Sequence, residues 1–163
     1  MELVNCWLFC NLSSEIYCYE IQGKLIINGP AFSENVSLLG QTAVITGGNT
    51  GLGKETALKL HGLGANTIIL CRDSEKAKVA IDEINERNKG RVQQGNTLTF
   101  RKLDLSSLKS VEECSLQLKK DCDKIDILVN NAGVMAVPTR EITLDGFEKT
   151  MGINHLGLLR LFD

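Results

Sequence analysis

The sequence has no C-x-x-C pair, no histidine near a cysteine at metal-ligand spacing, no excess of positive charge and no unbroken apolar run of membrane-spanning length. Each absence removes a class of function. Zinc and iron–sulfur sites need clustered thiolates or imidazoles, and none are spaced for that. With 18 basic against 20 acidic residues the chain offers no face for a phosphate backbone, so nucleic acid is not a partner. A spanning helix needs about 20 apolar residues. The apolar start, Met1–Leu12 (MELVNCWLFCNL), is shorter, contains Asn5 and lacks the basic flank of a secretory signal. The six cysteines, at 6, 10, 18, 71, 114 and 122, follow no disulfide or metal spacing and read as reduced thiols of an intracellular reducing compartment.

What is present is a chain of 163 residues, 43% apolar, which suits one globular domain with a buried core. Residues 1–39 read as an irregular leader, because Gly23, Asn28, Gly29 and Pro30 interrupt every incipient period. From Gln41 the pattern becomes short buried β-runs alternating with amphipathic helices, which predicts a parallel sheet covered on both faces. The strands are expected at Thr42–Thr46, Asn66–Cys71, Thr97–Leu105 and Ile125–Val129. The first helix, residues 51–63, would turn Leu52, Thr56, Leu60 and Leu63 inward, with Gly64 ending it. A second runs from Ser74, its cap, to Asn88 with Ala77, Ala80 or Ile81, and Ile84 inward. The third spans Ser107–Lys120, capped by Ser106 or Ser107, with Leu108, Val111, Ser115 and Leu118 on one side. A last helix is placed over Thr143–Asp163, with Phe147, Met151, Asn154 and Leu158 sharing a face.

Thr46–Gly53 (TGGNTGLG) joins the first strand to the first helix. Glycines there let the backbone turn sharply and approach a ligand, and the helix N-terminus offers unpaired N–H groups to a pyrophosphate. Gly47 would make the turn, Gly51 the close approach and Gly53 the packing of helix on strand; Asn49, Thr50 and Leu52 complete the cofactor-binding turn. The spacing is G-x-x-x-G-x-G, not the commoner G-x-G-x-x-G. A glycine turn alone also fits a flexible loop or a methyltransferase, so the strand before it and the helix after it carry the reading. Arg72 stands just past the second strand, where NAD-preferring folds place an acid for the ribose hydroxyls. A guanidinium there suits a 2′-phosphate, which favours NADP(H) over NAD(H), although Asp73 beside it leaves NAD open.

TGGNTGLG at 46–53, Asp104-Leu105 after the third strand, Asn130-Asn131-Ala132-Gly133 after the fourth and Asn154 in the next helix occur in order. Together they resemble the short-chain dehydrogenase/reductase family. GNTGLGKETA (48–57), CRD (71–73), TLDGFE (143–148) and INHLG (153–157) are most similar to its retinol dehydrogenase branch, over Leu38 to about Leu159. The resemblance implies an α/β fold: the N-terminal part of a doubly wound Rossmann sheet of strand order 3-2-1-4 over residues 40–163, incomplete on its C-terminal side. It implies that Asp104 and Leu105 border the adenine, although a strand-end Asp capping the next helix is an equal reading. Asn131, Ala132 and Gly133 would admit the nicotinamide ribose at the topological switch point, and otherwise form a plain turn. Asn154 would hold main chain and a water of the family's proton relay, and is otherwise an interior amide satisfied by backbone; unpartnered, such an amide costs about 1–3 kcal/mol. His61 and His155 read as surface residues.

The family's proton exchange rests on a Tyr-x-x-x-Lys pair, whose lysine lowers the tyrosine pKa. The only tyrosines here are Tyr17 and Tyr19, with Ile21 and Gly23 four residues on, so the pair is absent. The chain therefore reads as a fragment of an oxidoreductase that binds dinucleotide without turnover. A non-catalytic dinucleotide-binding or interaction isoform is the alternative. The apolar fourth strand would be left as an open edge, inviting self-association and a marginal fold. Retinol dehydrogenases are often anchored at the N-terminus, but Met1–Leu12 is too short to serve, so membrane attachment stays open.

Overall fold

The computed structural model describes residues 18–21, 24–27, 36–90 and 95–161. Met1–Leu12, Cys6, Cys10 and Tyr17 lie outside them. The stretch expected to be irregular contains two antiparallel strands, β1 (Cys18–Ile21) and β2 (Lys24–Ile27), paired from Cys18↔Ile27 to Ile21↔Lys24. Four-residue strands carry too little pattern to stand out from the glycines and asparagines around them.

The remaining strands are β3 (Thr42–Thr46), β4 (Asn66–Cys71), β5 (Leu98–Lys102) and β6 (Ile127–Val129). They form one parallel sheet in the order β5-β4-β3-β6, which is the expected 3-2-1-4. Helices α1 (Gly51–Gly62), α2 (Ser74–Arg87) and α3 (Leu108–Asp121) make the crossovers. Alternate residues of the central strands feed two separate cores. Ala43, Ile45 and Ile69 pack with Ala57, Leu58, Ala77, Ala80 and Ile84 beneath α1 and α2. Val44, Ile68, Leu70 and Leu128 pack with Val111, Cys114, Leu118 and Leu161 on the other side. Burial on both faces is why these strands read as continuous apolar runs without polar alternation.

Several boundaries differ from expectation for physical reasons. α2 is capped by Asp73, whose carboxylate accepts the Glu75 and Lys76 N–H groups at 3.0 Å, and not by Ser74. Ser107 caps α3 as expected. β5 ends at Lys102 because Asp104 turns the chain, its Oδ1 accepting from the Ser106 N–H at 2.9 Å and the Ser106 hydroxyl. β6 begins at Ile127, after the Asp126 carboxylate has accepted the Thr42 N–H at 2.9 Å.

The inward stripe of α1 is Gly53, Ala57, Leu58 and His61, rotated one residue from the expected one, and Leu52 is half exposed. That of α3 uses Cys114 in place of Ser115. The last helical segment departs most. It begins at Lys149, as α4 (Lys149–Met151), continues as a π-helical turn over Gly152–Gly157 and closes with α5 (Leu158–Leu161). Its buried residues are Gly152, Gly157 and Leu161, whereas Phe147, Met151 and Asn154 are exposed. The π-turn inserts an extra residue per turn, which moves the inward stripe off a 3.6-residue period. Glycine at both inward positions allows contact too close for any side chain: a Cβ on Gly157 would lie 2.6 Å from the Leu105 carbonyl oxygen, and one on Gly152 2.5 Å from Thr143 Cγ2. Among the described residues no helix is long and apolar enough to cross a membrane.

Candidate functional site

The strand order reverses between β3 and β6, so the loops leaving their C-terminal ends meet at the switch point of the sheet, the place where open α/β sheets bind ligands. On one side lies the turn from β3 to α1. Gly47 has a φ of +66°, and its missing side chain lets Asn131 approach: a Cβ there would be 3.1 Å from Asn131 Nδ2. Gly51 has a φ of +51° with no atom within 4 Å of where a Cβ would be, so its surface faces open space. A Cβ on Gly53 would collide with the Gly47 carbonyl and stand 2.5 Å from Asn131 Nδ2. Gly47 thus takes the turn and Gly51 faces open space, while Gly53 is packed against the Gly47 carbonyl and Asn131 and not against β3 itself. Asn49 is half-buried, and Thr50 and Leu52 are exposed beside them.

The N-terminus of α1 is chemically unlike those of α2 and α3. Its cap residue Thr50 is extended and makes no side-chain hydrogen bond, and no acid occupies the first turn. The first N–H groups of the helix are therefore left for another acceptor, in a positive field. In α2 and α3 the cap side chains of Asp73 and Ser107 take that place.

On the other side Asn131 and Ala132 are held by a residue that the sequence reading included in the motif but gave no role. Thr46, fully buried at the end of β3, accepts the Asn131 N–H at 3.0 Å and the Ala132 N–H at 2.9 Å through its hydroxyl, which donates to the Val129 carbonyl at 3.4 Å. The Asn131 amide in turn donates to the carbonyls of Thr46 (2.9 Å) and Gly47 (3.4 Å). Both loops are thereby one hydrogen-bonded unit. Only a hydroxyl at the strand's last position can serve two N–H groups and a carbonyl, and that is the signal by which Thr46 could have been found.

Asn154 is exposed, not interior as its expected helical face required. Its amide still has both partners: Oδ1 accepts the Val134 N–H at 2.8 Å and Nδ2 donates to the Val134 carbonyl at 2.8 Å. It also abuts Gly133, where a Cβ would lie 3.2 Å from Asn154 Oδ1. The π-turn carrying Asn154 therefore clamps the segment that follows Ala132 and Gly133.

Arg72 is exposed immediately after β4. The neighbouring Asp73 carboxylate is engaged in capping α2, and the Lys76 and Glu75 N–H groups hold it below the ordinary carboxylate range. Asp104 is part-buried and spends Oδ1 on Ser106, shaping the turn before α3; it does not cap that helix, as its alternative reading expected, because Ser107 does. The Leu105 side chain is buried in the core under α3 and its carbonyl lies beneath Gly157. His155 is exposed as expected, but His61 is 3% exposed, a correction to its reading as a surface residue. Its ring is enclosed because the inward stripe of α1 passes through it. Among the described residues Cys71, Cys114 and Cys122 are free thiols, and burial pushes Cys114 up to about 11, which makes it a packing residue and not a nucleophile. No group of three or more His, Cys, Asp or Glu side chains among the described residues could hold a metal.

This sheet, its glycine turn and its fastened second loop define a class. Residues 41–163 match the family model described as short chain dehydrogenase, and the chain belongs to that family. It is 42% identical over 138 residues to retinol dehydrogenase 13 of Homo sapiens, covering 82% of this chain and 39% of the relative. It is 39% identical over 155 residues to retinol dehydrogenase 12 of Homo sapiens, covering 95% and 47%. The chain thus spans less than half the length of these curated relatives. Among solved structures it resembles the Pseudomonas aeruginosa RhlG/NADP active-site complex, with a TM-score of 0.62 and 27% identity over 80% of this chain and 47% of that one. A metagenomic short-chain oxidoreductase in complex with NADP matches with a TM-score of 0.62 and 27% identity over 78% of this chain and 54% of that one.

Proposed function

We propose that this chain is the dinucleotide-binding part of a retinol dehydrogenase-like oxidoreductase and that it binds NADP(H) across the ends of β3 and β6. The observation that carries the reading is the uncapped, acid-free N-terminus of α1 beneath the open face of Gly51. An anion of the shape and charge of a pyrophosphate fits there, since the N–H groups have no side-chain competitor. A bound nicotinamide cofactor supplies a hydride exchanged with the carbon of an alcohol or carbonyl. The chain's own part is to bind and orient. The Thr46–Asn131–Ala132 network fixes the rim where the nicotinamide ribose would rest, and Asn154 holds the backbone beyond it.

Arg72 supports the preference for NADP(H). It is exposed where the adenosine ribose would lie, and the adjacent Asp73 is turned into the cap of α2. A 2′-phosphate would meet the Arg72 guanidinium, with the Asp73 carboxylate beside it drawn toward the α2 N-terminus by its cap bonds. Without a Tyr-x-x-x-Lys pair in its sequence, the chain alone binds cofactor and turns nothing over. Titration calorimetry with NADPH and NADH on the parent chain and Arg72→Asp tests the reading. The parent is expected to favour NADPH by about tenfold or more, the worth of one charge-assisted contact, and Arg72→Asp to lose that preference. Unchanged discrimination in the variant would remove Arg72 as its basis.

A further inference from the structure

Cofactor binding across β3 and β6 gives the segment TLDGFE (143–148) no part. It folds as a tight hairpin: Ile142 bridges Glu148, the Thr143 N–H donates to the Phe147 carbonyl at 2.8 Å, and the Gly146 N–H donates to the Thr143 carbonyl at 3.0 Å. Thr143 is buried at its base, and its hydroxyl accepts the Phe147 N–H at 3.2 Å. Gly146, at a φ of +84°, takes the left-handed position that closes the turn. The two tip residues reach a distant part of the chain. The Leu144 N–H donates to the Ser106 carbonyl at 3.2 Å, and the Asp145 carboxylate accepts the N–H of Leu108, the first residue of α3, at 2.8 Å. An N–H at a helix start has no partner in its own helix, and the field there favours a carboxylate.

Both contacts fall on the turn from β5 to α3, and that turn carries Asp104. The Asp104 N–H donates to Ser110 Oγ at 3.0 Å, its carbonyl accepts the Ser107 N–H at 3.1 Å, and its Oδ1 is engaged by Ser106. Oδ2 remains as the acceptor of that carboxylate. β5 lies beside β4, with Lys102 opposite Cys71 and the Leu103 N–H on the Cys71 carbonyl at 2.9 Å, so Asp104 follows β5 where Arg72 follows β4. With the pyrophosphate at the end of β3 and the ribose at the end of β4, as the cofactor reading on which this rests requires, the base falls at the end of β5. Adenine carries an exocyclic amine, a donor suited to a carboxylate oxygen.

We infer that Asp145, at the hairpin tip, is a positioning residue for the base: it fixes the Asp104 turn so that Oδ2 meets the adenine amine. The same stretch of chain also reaches the other end of the site. Glu148 accepts the Thr150 and Met151 N–H groups at 2.8 Å and so starts the helical run whose Asn154 holds Val134 and whose Gly157 closes on the Leu105 carbonyl. Base edge and nicotinamide rim are thereby held by one continuous segment.

Equilibrium binding of NADPH and of its hypoxanthine analogue, followed by nicotinamide fluorescence on the 163-residue chain, tests it. The analogue puts a carbonyl where adenine has the amine, so the parent should bind NADPH about tenfold more tightly, the worth of one charge-assisted hydrogen bond. Asp104→Ala should bring that ratio close to one. Asp145→Ala should lower it by about threefold or more, whereas Asp145→Asn, whose amide oxygen still accepts the Leu108 N–H, should keep it. Leu144→Pro removes the other tip contact at a turn position that suits proline, and should lower the ratio too. A reduced folded fraction weakens both ligands alike and leaves their ratio unchanged, so a merely structural role would not show. A parent that discriminates together with Asp145→Ala and Leu144→Pro chains that discriminate as well would overturn the role of Asp145. Equal binding of both ligands by the parent would overturn that of Asp104 and the inference with it, and binding of neither would overturn the cofactor reading itself.

Discussion

Thr46 shows how much one hydroxyl can hold. It is fully buried and serves two N–H groups and one carbonyl on the neighbouring loop. Thr46→Val keeps the shape and strands the Asn131 and Ala132 N–H groups, at about 1–3 kcal/mol of stability from unsatisfied donors. Thr46→Ser retains the hydroxyl and should lose less than half as much, the missing methyl being its only cost. Urea unfolding of the two variants checks the ordering, and equal losses would mean that packing and not hydrogen bonding matters at this site. Asp73 is a second residue-scale case. Its carboxyl is held below the ordinary range by the Lys76 and Glu75 N–H groups, so its capping contribution is present at neutral pH and is lost as pH falls through that lowered value. Asp73→Ala should remove that part of the acid dependence of unfolding, with a lower midpoint near neutrality and convergence with the parent in acid.

At the scale of elements, α1 combines the tightest of the described glycine positions, Gly53, with an open one, Gly51. Gly53→Ala places a methyl against the Gly47 carbonyl and Asn131, so it should destabilise the fold and displace the second loop. Gly51→Ala meets no atom but takes on a φ of +51°, so its cost is backbone strain of about 1 kcal/mol and its main effect should be on ligand approach. Thermal melts with and without NADPH separate the two: Gly53→Ala lowers the midpoint in both conditions, whereas Gly51→Ala chiefly loses the cofactor-induced rise. These roles were legible from spacing because a strand, a sharp turn and a helix leave little choice of where a glycine is needed. The helix faces were legible less often. The α2 stripe of Ala77, Ala80 and Ile84 follows a regular period and matches, but that of α1 is rotated toward Gly53 and His61 by a contact invisible in apolar spacing. In the last helix the π-turn and the buried pair Gly152 and Gly157 break the period altogether, which is why Asn154 faces outward and still reaches Val134. Glycines were read as turn formers, and at these two positions they are packing surfaces.

For the molecule as a whole, a parallel sheet was readable because buried β-runs alternate with helices, whereas its order β5-β4-β3-β6 was implied by the family resemblance of the motifs. The hairpin of β1 and β2 was not readable, for lack of length. Among the described residues β6 pairs with β3 alone, and Met135, Leu144 and Met151 are exposed. An unpaired edge together with exposed apolar side chains predicts self-association of the chain, visible in sedimentation velocity as concentration-dependent species larger than 17.9 kDa. A single, cooperatively unfolding monomer would contradict it. The most direct test of the whole reading is a thermal-shift comparison of the purified chain in buffer, NADH and NADPH. At cofactor concentrations about a hundredfold above Kd, binding to the folded state alone is worth about 2.7 kcal/mol, enough to move the midpoint by several degrees. A larger rise with NADPH than with NADH is the predicted result, and a midpoint unmoved by either cofactor would contradict it.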